Sequence, residues 1–296
     1  MEKMDYWQKQ NEPLFRDLEW NFPEQKSGTV AIIGGNGNSF SSAVKLAEYL
    51  GRTYPVKRAE LYLPDSLRGK LPPVPGINFV PSTESGSIAK SDELNSAVSR
   101  ADFSIFSGDL SKNSATTIAV TEAISGVADG AMTAGAGAAD GVMTTGTGAT
   151  TGGNRTTSAV VGGPVLLARD AVDLITPSIA EFIDTRPLFL VASMVQLQKI
   201  FRSLLYPKML LLSQPLMPTV ETLHKFTLSY ENCTIVTLHQ EQIIVAARGR
   251  IITTPLGKTK YTPLTLFTGA LPADLAAYNL WNPGSPLEAT CASLIR

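Results

Sequence analysis

Apolar residues recur along this chain in two alternating rhythms. Short unbroken runs read as buried strands: Ala31-Ile32-Ile33 in "TVAIIGG", then "RAELYLP", "DFSIFSGD", "PLFLVAS" and "CTIVTLHQ". Other stretches space their apolar residues three and four apart and read as helices: Ala43 to Leu50, "ELNSAVSRA", "NSATTIAVTEAI", "MVQLQKIFRSLL" and "TVETLHKFTLSY". "PVLLARDAV" and "KMLLLS" supply two further apolar segments. Strands that alternate with helices predict a mainly parallel sheet covered by helices. "QIIVAARGRIITTPL" differs, because two apolar runs flank Arg248-Gly249-Arg250 and predict an antiparallel hairpin.

The first strand runs into a glycine-rich turn, "GGNGNSF", and then into a helix for which Ser41 or Ser42 is a candidate cap. Such a turn can offer backbone N–H groups to a phosphate at the positive end of a helix. It fits a dinucleotide fingerprint poorly: Gly35 and Gly37 are present, but Phe40 stands where the third glycine belongs. A P-loop is excluded, since no Gly-Lys-Ser/Thr occurs. A tight turn that needs glycine only for its geometry explains the motif equally well.

One stretch interrupts the alternation. Residues 126–163 hold 11 of the chain's 24 glycines and no aromatic residue, and "DGAMTAGAGA" is followed at an eleven-residue offset by "DGVMTTGTGA". Small side chains with little to bury cannot offset the entropy of ordering, so the segment reads as a mobile low-complexity insert in a single domain spanning 1–296.

Composition narrows the function classes. Hydrophobic residues make up 44% of the 296 and charged residues 17%, enough for a substantial core. The net charge of −1 gives no footprint of nucleic-acid binding. No apolar run approaches a membrane span, and the polar start lacks a signal peptide's apolar centre, so a soluble, cytoplasmic protein is expected. Cys233 and Cys291 stand outside any metal or redox spacing and are expected to be reduced thiols.

Few side chains suggest chemistry directly. Asp109, in the strand-end loop "FSGDLSKNS", can serve a metal or a hydroxyl, or be an ordinary turn aspartate; Asn113 or Ser114 can cap the helix that follows. Of the two histidines, His224 falls within an amphipathic helix, whereas His239 ends a strand, where open α/β sheets place ligand contacts. No metal-ligand cluster, GxSxG or HExxH is present.

Taken in order, these pieces resemble the ribokinase-like superfamily, and within it the ADP/ATP-dependent NAD(P)H-hydrate dehydratases. Ile33-Gly34-Gly35-Asn36 matches the family's opening "IGGS" turn, and Ser107-Gly108-Asp109-Leu110-Ser111 keeps the glycine and leucine of "GPGLG". "ARDAV", with Asp170, partly matches "DADAL"; "VASMVQ" stands where the family has "TPHPGE"; "SPLEATCASLI" resembles the closing "DPLEAA". The resemblance spans nearly the whole chain outside the insert. It implies a three-layer α/β/α sandwich with a mainly parallel central sheet and a C-terminal antiparallel hairpin. It also implies ADP or ATP as cofactor, with Mg²⁺ as a candidate companion, and Thr268, Gly269 and His239 near the nucleotide. Gly34, Gly35, Asn36, Gly108, Asp109 and Asp170 would face substrate. The implied partner is a small-molecule nucleotide, with neither nucleic acid nor membrane, and a homo-oligomer stays open.

The sequence departs from the family where its chemistry is done. The family's "GxGD" anion hole and general base fall on Phe267-Thr268-Gly269-Ala270, which keeps the second glycine and loses the aspartate. Asp274 lies one turn further on and can stand in only if the helix begins late, a shift compatible with Pro272 in its first turn. The expectation is a divergent dehydratase-like protein that binds nucleotide with weak or no catalysis. The alternatives are a non-enzymatic scaffold and an active lyase or small-molecule kinase whose base has moved, to Asp274 or Asp109.

Overall fold

A computed structural model of the chain describes residues 5–10, 22–71, 76–126 and 162–295. Residues 127–161, the body of the expected insert, and the run "LFRDLEW" near the start lie outside these. Ten strands form one sheet: β1 (Trp7–Lys9), β2 (Ser27–Ile33), β3 (Val56–Pro64), β4 (Ile77–Val80), β5 (Phe103–Phe106), β6 (Val165–Ala168), β7 (Leu188–Val191), β8 (Cys233–His239), β9 (Gln242–Ala247) and β10 (Arg250–Pro255). Their spatial order is β1-β10-β9-β8-β7-β6-β5-β2-β3-β4. Only β8–β9 and β9–β10 pair antiparallel. The hairpin predicted around Arg248-Gly249-Arg250 is the second of these pairs.

The unbroken apolar runs are explained by burial on both faces, as parallel sheets require. Along β2, Ala31 and Ile33 point into one core while Val30 and Ile32 point into the other, and β5, β6 and β7 alternate the same way. The first core is covered by α2 (Asp92–Arg100), α3 (Ser114–Ser125), α4 (Asp170–Ile175), α5 (Met194–Ser203) and α6 (Leu216–Ser229). The second is covered by α1 (Ser41–Thr53), α8 (Leu271–Trp281) and α9 (Pro286–Ile295), with the short α7 (Pro263–Thr268) leading into α8. This is the three-layer α/β/α arrangement expected from the sequence.

Strand order reverses once, between β5 and β2, three strands from one edge of the sheet. From β2 the chain steps outward to β3 and β4, then returns to place β5 on the other side of β2 and proceeds the other way. Because crossovers between parallel strands are right-handed, the reversal puts α1 and α3 on opposite faces. A crevice therefore opens at the carboxyl ends of β2 and β5, the place where open α/β sheets hold ligands.

"KMLLLS", one of the two apolar segments with no element assigned, lies between α5 and α6 outside any helix or strand, and Met209, Leu211 and Leu212 are 56%, 52% and 54% exposed while Leu210 alone is buried. One local expectation needs correction. Neither Ser41 nor Ser42 caps α1, whose N-cap is Phe40 without any side-chain bond. Ser42 is drawn away by a charged acceptor, donating its hydroxyl to Asp109. Asn113 does cap α3, accepting from the Thr116 amide at 2.8 Å. Both cysteines are unpaired and fully buried, and burial pushes both thiols up. Among the described residues no helix is long and apolar enough to cross a membrane.

Candidate functional site

At the reversal point the turns after β2 and β5 clasp each other. The Gly35 amide donates to the Gly108 carbonyl at 3.0 Å, and the Asn36 side-chain amide donates to the Asp109 carbonyl at 2.6 Å. A Cβ at Gly34 would overlap the Ser107 carbonyl oxygen, so only glycine lets the two turns meet. Gly108 combines φ +79° with the Ser42 Oγ 2.5 Å from where a Cβ would sit.

The opening turn spends its own donors. Gly34 bonds to Tyr62, Asn36 to Ser39 and Gly37 to Gly86, while Asn38 and Ser39 bond to the Asn36 side chain. It is thus a structural clasp whose amides, from Gly34 to Ser39, are already satisfied, rather than an open phosphate cradle.

Asp109 and Arg169 sit at the ends of adjacent strands in conformations that ordinary residues avoid. Asp109 has φ 56°, and Arg169, the N-cap of α4, has φ 56° and ψ −126°. The Arg169 guanidinium lies 3.8 Å from the Asp109 carboxylate, whose other oxygen accepts from Ser42. Gln196 of α5 holds the strained Arg169 carbonyl at 2.9 Å. Beside them, Lys112 bridges Asp170 and Asp173 at 3.2 Å each, and Lys199 reaches Asp173 at 2.8 Å. Burial alone would raise the Asp173 carboxyl, but the hydrogen bonds from Lys199 and Lys112 outweigh it and hold the group below its ordinary range.

Ser42 links this cluster to a cleft of about 320 Å³ between α1 and the α7–α8 junction. One wall is a face of α1 carrying Ser41, Ser42, Lys45, Leu46 and Tyr49, and the other is Thr268-Gly269-Ala270. Gly269 is a close-approach position, since a Cβ there would meet the Thr265 carbonyl at 2.6 Å. Both helices that begin at this cleft lack a side-chain cap, unlike α2, α3, α5 and α7. In α8 Pro272 has no N–H and Ala273 and Asp274 donate to Ala270; the Ala270 and Leu271 amides have no hydrogen-bond partner among the described residues. The Ser41, Ser42 and Ala43 amides of α1 are likewise unbonded.

Asp274 does not line the cleft, although Tyr49 of the cleft wall is hydrogen-bonded to it. α8 begins at Leu271, with Pro272 in its first turn, so Asp274 falls one turn in, and it is fully buried. One carboxylate oxygen accepts from the Tyr54 hydroxyl at 2.6 Å; the other accepts from the Tyr261 hydroxyl and pairs with Lys260 Nζ at 2.9 Å. Burial first, and then the Asp274 charge, drive the phenols of Tyr54 and Tyr261 far up and that of Tyr49 to about 12. Sequence reasoning missed this clamp, and it missed Arg169, Ser42 and Lys45 as members of the site.

The remaining sequence candidates are scattered. Thr268 and Gly269 line the cleft. Asp170 belongs to the Lys112 bridge. His239 is buried at the end of β8, three strands from β5, with its Nε2 bonded to the Gln214 carbonyl at 2.8 Å. His224 stacks on Tyr6 at 3.8 Å and donates to the Gly249 carbonyl. Among the described residues no group of three or more His, Cys, Asp or Glu side chains is placed to hold a metal ion.

The architecture is shared with solved structures. A ribokinase-like superfamily protein from Enterococcus faecalis superposes with a TM-score of 0.62 at 11% identity, covering 98% of this chain and 86% of its own. A hypothetical protein from Streptococcus mutans superposes with a TM-score of 0.58 at 12% identity, covering 97% of this chain and 88% of its own. No protein-family model matches the chain, and no curated protein matches it by sequence. The fold is therefore ribokinase-like, and at such identities the likeness extends to the fold alone.

Proposed function

We propose that this chain is a divergent relative of the NAD(P)H-hydrate dehydratases that binds a nucleotide, ADP or ATP, in the α1/α8 cleft and carries out little or no turnover. One observation carries the reading: the helix start that lines the cleft has Ala270 where the family has its base, and neither nearby aspartate replaces it. Asp274 is fully buried with both oxygens engaged. Asp109 faces Ser42 and Arg169, and its hydrogen bond and ion pair already occupy its carboxylate.

Binding is supported by what the cleft offers an anion. Two uncapped helix starts supply unbonded amides and the positive ends of two dipoles. Ser41 adds a hydroxyl donor to the same space, which Ser42 and Thr268 also line with hydroxyls that donate to Asp109 and to the Leu264 carbonyl. These residues suit the phosphate end of a nucleotide. In an active family member the nucleotide supplies the phosphoryl group that activates the hydrate's hydroxyl. In this chain the cleft residues bind and orient an anion, and none of the residues lining the cleft carries a carboxylate to take a proton.

A non-enzymatic scaffold is the second reading, favoured by the exposed apolar side chains Leu205, Met209, Leu211, Leu212 and Met217 in one short stretch. Thermal unfolding with ADP, ATP, NADH and AMP separates the two. Ligand at a hundredfold excess over its dissociation constant adds about 2.7 kcal/mol of stability. A rise in melting temperature with ADP or ATP supports the nucleotide reading, and no shift with any of the four at millimolar concentration supports the scaffold.

A further inference from the structure

We propose that Lys45 sets the ligand preference of the cleft, anchoring a terminal phosphate group and selecting nucleoside phosphates over neutral nucleosides. This inference rests on the reading of the cleft as a ligand site. Lys45 is the only charged side chain among the residues lining the cleft. It follows Ser41 and Ser42 by one helical turn and precedes Tyr49 by another, so all four share one face of α1. Its ammonium has no ion pair or hydrogen bond among the described residues. Lys70, Lys112, Lys199 and Lys260, by contrast, are each engaged by an oxygen acceptor.

Among the residues lining the cleft nothing compensates that charge. Asp274 is sealed in its clamp and Asp109 is held by Ser42 and Arg169. Tyr49 stays a neutral phenol, since burial and the nearby Asp274 push its pKa to about 12. With Ala270 in place of an acid, the cleft therefore has a positive balance. A lone ammonium suits a phosphate, which takes a point charge from lysine and a neutral hydrogen bond from the Ser41 hydroxyl; the Ser42 and Thr268 hydroxyls beside it already donate to Asp109 and to the Leu264 carbonyl. A neutral nucleoside would leave the ammonium unmatched.

The test is calorimetric titration of ADP, inorganic phosphate and adenosine into the wild type, Lys45→Met and Lys45→Arg, each at low and high salt. Lys45→Met keeps the apolar stem and removes the charge. It is expected to weaken ADP about tenfold to a hundredfold, the range for losing a hydrogen bond to a charged group. It should also flatten the salt dependence of ADP binding. Lys45→Arg should bind ADP close to wild type, and adenosine should bind the wild type more weakly than ADP. Wild-type ADP affinity in Lys45→Met, or adenosine binding as tightly as ADP, would overturn the role of Lys45 and leave the cleft reading intact. Failure of the wild type to bind ADP or phosphate at millimolar concentration would overturn both.

Discussion

Two carboxylates flank the cleft and have opposite fates. Asp109 sits at a strand end on a strained backbone, where adjoining turns leave it partly accessible. Asp274 sits within the first turns of a helix, nearer to the family's catalytic position in sequence, yet Tyr54, Tyr261 and Lys260 enclose it completely. The difference teaches that distance along the sequence from a motif does not decide whether a group can do chemistry. Helix phase and the partners brought by distant segments decide it. One side chain belongs to both regions: Tyr49 lines the cleft and feels the Asp274 charge.

The comparison breaks most visibly at Asp274. Asp274→Ala leaves the Tyr54 and Tyr261 phenols without their acceptor, while Lys260, 31% exposed, can turn to water; each lost hydrogen bond to a charged group typically costs about 1.5–3 kcal/mol. Chemical denaturation should show that loss, and Asp274→Asn a smaller one if the alanine variant fails to fold. ADP affinity per folded molecule should stay within a few-fold of wild type. A large affinity loss at unchanged stability would mean that Asp274 belongs to the cleft and not to the core.

The next effect falls on the clasp between the turns. Gly34→Ala drives a methyl group into the Ser107 carbonyl and must shift one turn. Overpacking of this kind costs about 1–3 kcal/mol. ADP binding should weaken too, because the same clasp sets the start of α1. A variant with wild-type stability would show that the two turns do not need to meet this closely.

Alkaline pH probes the other side of the comparison. The phenols of Tyr49, Tyr54 and Tyr261 are all raised from 10.0 by burial and by Asp274, so the folded protein holds these protons more tightly than the unfolded chain. Their contribution is fully present below pH 10 and is lost as pH climbs above it, at no more than about 1.4 kcal/mol per pH unit for each tyrosine. Denaturation midpoints measured between pH 8 and pH 11 should fall in the wild type and fall less in Asp274→Asn. A flat profile would contradict the clamp.

The smallest effect carries an unusual sign. Arg169 is held at φ 56° and ψ −126°, a conformation that glycine adopts without strain. Arg169→Gly gives up a long ion pair with Asp109 but relieves the backbone, so stability should rise by up to about 1 kcal/mol while ligand affinity falls. Thermal unfolding beside an ADP titration reads both. A loss of stability would show that the contacts of the Arg169 side chain outweigh the backbone strain.

How much of this the sequence disclosed depends on the distance over which each feature is set. The strands β2, β5, β6 and β7 were legible because burial on both faces makes each an unbroken apolar run. The hairpin at Gly249 was legible because its turn is local. β1 and β4 were not, since Trp7–Lys9 and Ile77–Val80 are short edge segments with exposed positions. "KMLLLS" could not be assigned because an apolar run carries no sign of whether the sheet has room for it. Within the site, the strand-end turns were found from their glycines. Tyr54 is 220 residues from Asp274, and no local pattern connects them. Ser42 was assigned to the wrong acceptor for the same reason, since Asp109 is 67 residues away.

The central claim is that the cleft retains a nucleotide and has lost its base. The most direct measurement is the formation of NADH from its hydrate with ADP or ATP and Mg²⁺, by the wild type and by Ala270→Asp, in preparations shown to bind ADP. A general base contributes about 10²–10⁴ in rate. The account predicts ADP binding without turnover in the wild type and a gain of activity in Ala270→Asp. Turnover by the wild type, at a rate that Ala270→Asp does not raise, would contradict it.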